Sequence, residues 1–153
     1  MHNNQTKTVD RMVQFREALR VHSLKATAQR LAVHEAMMTL GHASADSVAE
    51  WIRDNGKCNV SVATVYNILS QMALLGVYHH RMSANNKMYF DVNTSRHIHL
   101  YDIQNNEYVD VVDKELTDYI DNRIRSRKLK GFKVDSIEIQ IIGHPNRRTT
   151  RQQ

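Results

Sequence analysis

Apolar residues recur every three to four positions through the first half of the chain, a spacing that predicts amphipathic helices. Four such helices are predicted, and their apolar positions are Met12, Phe15 and Leu19, then Val33, Met37 and Leu40, then Val48, Trp51 and Ile52, and finally Val62, Val65, Leu69 and Met72. Thr27 and Ser44 are placed to cap the second and third helices, and Gly41 is placed to end the second. The first half is therefore predicted to be mainly helical.

Strand-like runs replace the helical spacing after Gly76. The segments VYHHRM and KMYFDV flank a turn-rich stretch at residues 83–86, which favours a β-hairpin. A second hairpin is predicted for RHIHLYDIQNNEYVDVV, with Asn105 and Asn106 as a two-residue turn. An amphipathic helix, KELTDYIDNRIRSRK, and a strand, FKVDSIEIQIIG, complete the pattern.

This order of elements predicts an α+β fold with two domains. Helices followed by a hairpin are typical of a winged helix, so residues 1–87 are predicted to form an N-terminal winged-helix DNA-binding domain. Residues 88–146 are predicted to form a small α/β dimerisation domain, because one sheet and one helix offer too little core unless two copies pair. Residues 147–153 form a basic tail.

The charge of the chain is unevenly distributed between these two parts. Residues 1–87 contain ten basic and six acidic residues, a net charge of +4, whereas residues 88–146 contain eight basic and ten acidic residues, a net charge of −2. The first part therefore favours a polyanion such as DNA. With a single cysteine, Cys58, and no apolar run as long as a membrane span, the sequence predicts a cytoplasmic protein without disulfides.

The fourth predicted helix carries a compact polar face that is suited to reading DNA. This face consists of Ser61, Thr64, Asn67 and Ser70. Hydroxyl and amide side chains reach base edges and thymine methyl groups in the major groove. Tyr66 would add an aromatic contact, and Arg30 and Lys25 would contact phosphates or the minor groove. The alternative is an amphipathic helix whose polar face is merely solvated.

The second predicted hairpin groups metal-binding side chains on one face. A two-residue turn would place Tyr101 opposite Asp110 and make His99 the diagonal neighbour of this aspartate, with His97 on the same face. Asp91 lies shortly upstream. Imidazole and carboxylate ligands without a thiolate favour Fe(II), Mn(II) or Zn(II). The alternative is ordinary surface polarity, because short histidine motifs often bind no ion.

Five stretches follow one another along the chain: LKATAQRLAVHEAM, GHASADSV, NVSVATVYNILSQMALLGV, YFDVNTSRHIH and EYVDV. In their order and spacing they together resemble the ferric uptake regulator family of bacterial metal-responsive repressors, over nearly the whole chain. The resemblance implies a winged-helix domain, an α/β dimerisation domain and a homodimer. Such a dimer would read a palindromic, AT-rich operator in double-stranded DNA.

The resemblance also implies a regulatory ion, Fe(II) or Mn(II) with Zn(II) as a substitute, held between the two domains. The residues that match the family's ligands are His42, Asp91, His97, His99 and Asp110. His42 is a candidate only through the resemblance, as the histidine of an H-x-x-A-D motif. The ion would bind the closed, DNA-competent arrangement more tightly and would shift the population toward it.

Two residues make the sequence most similar to the peroxide-sensing branch of that family. Asp110 stands where iron-sensing members usually carry glutamate, and Asn67 follows Tyr66 where many of them carry arginine. In the peroxide-sensing branch, bound Fe(II) reacts with hydrogen peroxide and a ligand histidine is oxidised. The resemblance therefore implies His42 or His97 as the oxidised residue, and a peroxide-insensitive repressor when Mn(II) is bound.

The chain departs from the family at its structural zinc site. Most relatives bind this zinc with two Cys-x-x-Cys pairs, but the corresponding stretches here read LYDIQNNEY and IIGHPNRR, so no structural zinc held by four cysteines is expected. Two alternative functions stay open. One is an iron- or haem-status regulator of the same fold, and the other is a non-haem iron oxygenase, whose facial triad also has two histidines and a carboxylate.

Overall fold

A computed structural model describes residues 2–83, 85–93, 95–127, 129 and 131–146. Its elements, in chain order, are α1 (His2–Val21), α2 (Ala28–Leu40), β1 (His42–Ala43), α3 (Ala45–Asp54), α4 (Val62–Leu74), β2 (His79–Met82), β3 (Met88–Asp91), β4 (Ile98–Asp102), β5 (Glu107–Val111), α5 (Lys114–Arg125) and β6 (Ile139–Gly143). This mixture of helices with two three-stranded sheets confirms the predicted α+β class. The predicted basic tail, residues 147–153, lies outside the described residues.

The chain divides into two compact units, residues 1–94 and 95–153. This division lies beyond the predicted boundary after residue 87, because β3 pairs with both β1 and β2 and so belongs to the first unit. Among the described helices, none combines the length and the apolar character that crossing a bilayer requires.

The core of the first unit is formed by the apolar stripes of its helices. The predicted positions that are buried are Phe15, Leu19, Val33, Met37, Val48, Ile52, Val65, Leu69 and Met72. Two predicted core positions were wrong: Leu40 and Val62 are 38% and 43% exposed, because they are the last residue of α2 and the first of α4. Ile68 packs in the core beside Leu69 instead.

Hydrogen-bonded caps begin and end these helices, as predicted. Thr27 Oγ1 accepts a hydrogen bond from the Arg30 N–H at 3.3 Å, and Ser44 Oγ accepts one from the Ser47 N–H at 3.3 Å. These bonds satisfy backbone donors in the first turns of α2 and α3. Gly41 ends α2 at a φ of 73°, a left-handed conformation that glycine adopts without a steric penalty.

A buried histidine lies among aromatic rings in the first unit. The His34 ring stacks on Phe15 with ring centroids 3.9 Å apart, and its Nδ1 lies 2.9 Å from the Tyr78 hydroxyl oxygen. Burial lowers the pKa of His34 to about 4 and raises the pKa of Tyr78 above its ordinary value. His34 is therefore a neutral core residue at neutral pH.

The sheet of the first unit has the order β1-β3-β2 with antiparallel pairing throughout. The predicted hairpin forms its β2–β3 part, and the Ser83 N–H donates to the Lys87 carbonyl at 2.8 Å across the turn. The register places Asp91 directly opposite His42 on one side and His79 on the other. Strand β1, which no sequence pattern predicted, is thus the element that brings His42 to Asp91.

The sheet of the second unit has the order β5-β4-β6, with β4 antiparallel to β5 and parallel to β6. The predicted two-residue turn was wrong, since Asp102 pairs with Glu107 and residues 103–106 form a four-residue loop. The Asp102 carboxylate accepts hydrogen bonds from the N–H groups of Gln104 at 2.9 Å and Asn105 at 3.3 Å, which holds this longer turn.

The longer turn changes which residues face each other across β4 and β5. His99 is directly opposite Asp110 rather than diagonal to it, and Tyr101 is opposite Tyr108 rather than Asp110. The change amounts to two residues, so the predicted faces of the hairpin are preserved because side chains alternate with a period of two. The predicted strand FKVDSIEIQIIG is shorter than expected, with β6 confined to Ile139–Gly143.

Candidate metal centre

Three of the predicted ligands meet on the β4–β5 hairpin of the second unit. His97 Nε2 lies 3.1 Å from Asp110 Oδ1, and His99 Nδ1 lies 3.4 Å from the same oxygen. The two imidazole rings have centroids 4.2 Å apart, and the residues are only 8% and 3% exposed. The direct pairing of His99 with Asp110 and the neighbouring position of His97 create this cluster.

A backbone contact determines which nitrogen of His97 can bind an ion. His97 Nδ1 lies 2.6 Å from the carbonyl oxygen of Ser95, which can only accept a hydrogen bond. Nδ1 must therefore carry the proton and donate it, so in the neutral ring Nε2 presents a lone pair. That lone pair faces the Asp110 carboxylate at 3.1 Å, and only a proton or a cation makes such a contact favourable.

The donor chemistry of this cluster therefore fits a divalent metal ion. A metal-bound histidine usually donates its other ring N–H to a carbonyl or carboxylate, as His97 does to Ser95. Burial of the two rings keeps water from competing for them. Imidazole nitrogens with a carboxylate oxygen suit Fe(II), Mn(II) or Zn(II).

The other two predicted ligands form a pair in the first unit. His42 Nδ1 lies 3.4 Å from Asp91 Oδ2, in the cross-strand register of β1 and β3. Asp91 is 1% exposed, and its Oδ1 accepts a hydrogen bond from the Asn93 N–H at 2.7 Å. That bond fixes the carboxylate and leaves Oδ2 directed at the imidazole. The first unit thus offers one further imidazole and one further carboxylate.

The residues predicted to contact DNA lie on or beside α4. Tyr66 is 44% exposed, with its ring edge-on to Phe90 at a centroid distance of 6.1 Å, and Asn67 is exposed next to it. Ser61 is the N-cap of α4, and its hydroxyl oxygen lies 2.9 Å from Thr64 Oγ1. Tyr66 and Asn67 are therefore accessible to a ligand, whereas the two hydroxyl groups also support the start of the helix.

The two predicted basic contacts differ in their surroundings. Lys25 is exposed, in the loop before α2. Arg30 is half-buried and donates from Nη1 to the Lys25 carbonyl at 2.8 Å and from Nη2 to Gln71 Oε1 at 3.1 Å. The Arg30 guanidinium thus links α2 to α4, a structural contribution that the sequence did not reveal.

Sequence reasoning missed the residues that surround the predicted ligands. The Ser95 carbonyl and the Asn93 N–H orient His97 and Asp91, and backbone groups leave no trace in a pattern of side chains. It also gave no role to Tyr108, whose ring meets that of His99 edge-on at a centroid distance of 6.1 Å. The alternation along β5 puts Tyr108 on the same face as Asp110, two residues later, and is the signal that points to it.

Comparison with known proteins identifies the family. The model of the ferric uptake regulator family matches residues 21–142, which is well over half of the chain. The chain belongs to the ferric uptake regulator family. As a member of this family, it is a metal-responsive, DNA-binding transcription regulator and not an enzyme, so the oxygenase alternative was wrong. No curated protein sequence matches the chain.

Solved structures of ferric uptake regulator family proteins share its fold. The ferric uptake regulator of Vibrio cholerae is 22% identical, with a TM-score of 0.73 over 85% of this chain and 98% of that one. The Pseudomonas aeruginosa ferric uptake regulator with manganese is 22% identical, with a TM-score of 0.67 over 83% and 94%. The Campylobacter jejuni peroxide stress regulator is 24% identical, with a TM-score of 0.64 over 86% and 96%.

Proposed function

We propose that this ferric uptake regulator family protein is a cytoplasmic, metal-dependent repressor with a single regulatory ion per chain. The proposed ligands are His42, Asp91, His97, His99 and Asp110. The ion is Fe(II) or Mn(II), and Zn(II) can take its place. The observation that carries the proposal is the position of His97, whose Nε2 lies 3.1 Å from Asp110 Oδ1 while its Nδ1 lies 2.6 Å from the Ser95 carbonyl oxygen.

The proposed ion draws its donors from both units. Only five residues separate Asp91 from His97, and six extended steps span at most about 20 Å, so the two donor groups are closely tethered. An ion that binds donors of both units stabilises the arrangement in which they converge. If this arrangement is the one that fits DNA, metal and DNA each raise the affinity for the other.

The proposed DNA-reading surface is the exposed face of α4. Tyr66 and Asn67 would reach base edges, Thr64 and Ser61 would contact the groove near the helix start, and Lys25 would contact phosphate. Arg30 would add a positive field from its position between α2 and α4. The net charge of +4 on residues 1–87 supports this assignment.

The proposed repressor is a homodimer on a palindromic, AT-rich operator. One face of the second sheet is apolar and exposed, which supports pairing of two copies. Its residues are Leu100, Val109, Val111 and Ile141, which are between 36% and 52% exposed. Cross-strand pairing of Leu100 with Val109 and Ile141 makes this face continuous.

The proposed signal is hydrogen peroxide, read through bound Fe(II). When bound, Fe(II) supplies electrons that activate peroxide, a reaction that Mn(II) does not readily support. The proposed targets of oxidation are the ligands His42 and His97. Because an oxidised imidazole is a poorer donor, their oxidation would weaken metal binding and release DNA. At positions 110 and 67 the sequence is similar to the peroxide-sensing branch of the family, with Asp110 and Asn67. These two residues support peroxide as the signal over iron status.

Binding to an operator duplex, selected from a random library with the Mn(II)-loaded protein, tests this function. We expect tight binding with Fe(II) or Mn(II), weak binding after chelation, and loss of binding when peroxide is added to the Fe(II) form alone. His97→Ala should abolish the response to metal, whereas His144→Ala, at an exposed site, should retain it. A peroxide-insensitive Fe(II) form would favour an iron- or haem-status regulator, and an unchanged metal response in His97→Ala would refute the site.

A further inference from the structure

Two tyrosines lie beside the proposed metal ligands of the second unit, on the same face of the β4–β5 hairpin. Tyr101 and Tyr108 face each other across β4 and β5, with ring centroids 4.7 Å apart and planes tilted by 35°. The Tyr108 ring also meets the His99 ring edge-on, at 6.1 Å and 89°. His99, Tyr108 and Tyr101 therefore form a continuous row of rings that begins at a proposed ligand.

The two tyrosines differ in how deeply they are buried. Tyr101 is 1% exposed, and its hydroxyl donates to Asn106 Oδ1 at 3.0 Å in the turn between the strands. Tyr108 is half-buried and lies between Tyr101 and His99. Tyr108 is thus an electron-rich ring in contact with a proposed ligand, and the strand register fixes it there.

We propose that Tyr108 is a further oxidation site of this chain, hydroxylated on its ring by peroxide that is activated at the metal centre. This inference rests on the proposed function, since it requires Fe(II) beside His99 and Asp110. A phenol is more readily oxidised than the aliphatic side chains around it. An oxidant formed beside His99 therefore partitions between the imidazole ligands and the Tyr108 ring.

The reaction replaces one ring C–H bond by a C–O bond. The carbon next to the hydroxyl-bearing carbon is oxidised by two electrons, and these electrons break the O–O bond of hydrogen peroxide. One peroxide oxygen joins the ring, and the other leaves as water with the displaced hydrogen. The product is a catechol side chain, and the net change is the gain of one oxygen atom at Tyr108.

Peptide mass spectrometry tests the proposal on the full-length protein. Cleavage after Arg96 and Lys114 yields a peptide of residues 97–114, which contains Tyr101 and Tyr108 but no other tyrosine. With bound Fe(II) and hydrogen peroxide we expect one added oxygen, located at Tyr108 by fragmentation. The Mn(II)-loaded protein treated in the same way should show none.

Tyr119 is an internal control for the source of the oxidant. It is 66% exposed on α5, so an oxidant that diffuses through solution attacks it before the half-buried Tyr108. We expect Tyr119 to remain unmodified, and equal modification of Tyr119 and Tyr108 would overturn the proposal.

The variant Tyr108→Val tests competition between the two oxidation sites, and it retains a side chain suited to a strand. Added oxygen at position 108 should be lost in this variant, and oxidation of His97 should increase. Unchanged histidine oxidation in this variant would contradict competition between the two sites.

The same samples separate failure of this inference from failure of the proposed function. If iron is bound and His42 or His97 gains oxygen while Tyr108 does not, this inference is overturned and the repressor proposal stands. If the metal content of the wild-type protein equals that of His97→Ala, the proposed metal centre itself is wrong.

Discussion

At the scale of single residues, the Ser95 carbonyl fixes the ring orientation of His97, a proposed metal ligand. By accepting a hydrogen bond from the Nδ1–H group at 2.6 Å, this carbonyl leaves Nε2 on the side that faces Asp110. The neighbouring Asn93 N–H orients Asp91 in the same manner. Backbone groups therefore orient these two proposed ligands, and such preorganisation reduces the cost of binding an ion.

Asp110→Asn tests the carboxylate of this cluster. The amide preserves the shape of the side chain but loses the charge that both His97 and His99 face. We therefore expect the affinity for Mn(II) to fall by more than about 10-fold. Isothermal titration with Mn(II) measures the change. Asp118→Asn, on the exposed side of α5, is the matched control and should bind like the wild type. Equal affinities of wild type and Asp110→Asn would exclude this carboxylate as a ligand.

His34 gives the first unit a dependence on pH. Its pKa is about 4 in the folded protein against an ordinary value of 6.5, so between these values the unfolded chain binds more protons. The free energy of unfolding therefore falls as the pH is lowered from 6.5 to 4, by about 3 kcal/mol in total from this residue.

Urea unfolding at several pH values measures this slope. We expect a shallower slope in His34→Phe, which can still stack on Phe15, and an unchanged slope in His22→Phe, where the histidine is exposed. A histidine NMR titration with the His34 midpoint near 6.5 would contradict the assignment.

At the scale of helices and strands, the elements that could be predicted are those set by near neighbours. The caps of α2 and α3 and the buried stripe of α4 follow from residues within four positions of each other. The two-residue β1 is too short for any periodicity, so its pairing with β3 could not be predicted. The His42–Asp91 pair that β1 creates was expected only from the family resemblance.

The β4–β5 hairpin shows what sequence alternation can and cannot determine. Alternation placed His97, His99 and Asp110 on one face, and the structure agrees. It could not determine the length of the turn, which depends on the hydrogen bonds that the Asp102 carboxylate accepts. The correct register is the one that brings Tyr108 opposite Tyr101, and it could not be derived from two asparagines in the turn.

Tyr66→Ala tests α4 as the DNA-reading helix. The ring is 44% exposed beside Asn67, so its removal should weaken binding to the selected operator by about 1–3 kcal/mol, the scale of a lost base contact. Fluorescence anisotropy with labelled duplexes measures the loss. Tyr119→Ala, which removes an exposed tyrosine from α5, should bind normally. An equal loss on duplexes of random sequence would argue against base reading by Tyr66.

At the scale of the whole molecule, the proposed repressor depends on two couplings, one between chains and one within each chain. The exposed apolar face of the second sheet would join two copies, and the ion would join the donors of the two units. Both couplings involve β4, because its Leu100 lies on the apolar face while His99 lies on the ligand face. The proposed metal site and the proposed interface between chains therefore lie on opposite sides of one strand.

Val109→Lys tests pairing through the apolar face. Val109 is 52% exposed, so lysine is tolerated in the monomer. In a dimer that pairs through this face, the lysines of the two copies would be buried close together and would repel each other. We expect sedimentation to show a predominantly monomeric variant, with operator affinity reduced and Mn(II) affinity retained. Glu50→Lys, an exposed change on α3 of the first unit, is the control for added charge and should sediment like the wild type. A fully dimeric Val109→Lys would move the interface elsewhere.

The stoichiometry of Mn(II) binding to wild type, His42→Ala, His97→Ala and the double variant tests the central claim most directly. If one ion is held by donors of both units, the wild type binds one Mn(II) per chain. Each single variant then loses most of the affinity, and the double variant loses little more, because residues that share one ion are not additive. Two ions per wild-type chain, with one retained in each single variant, would show two separate sites and would contradict the account.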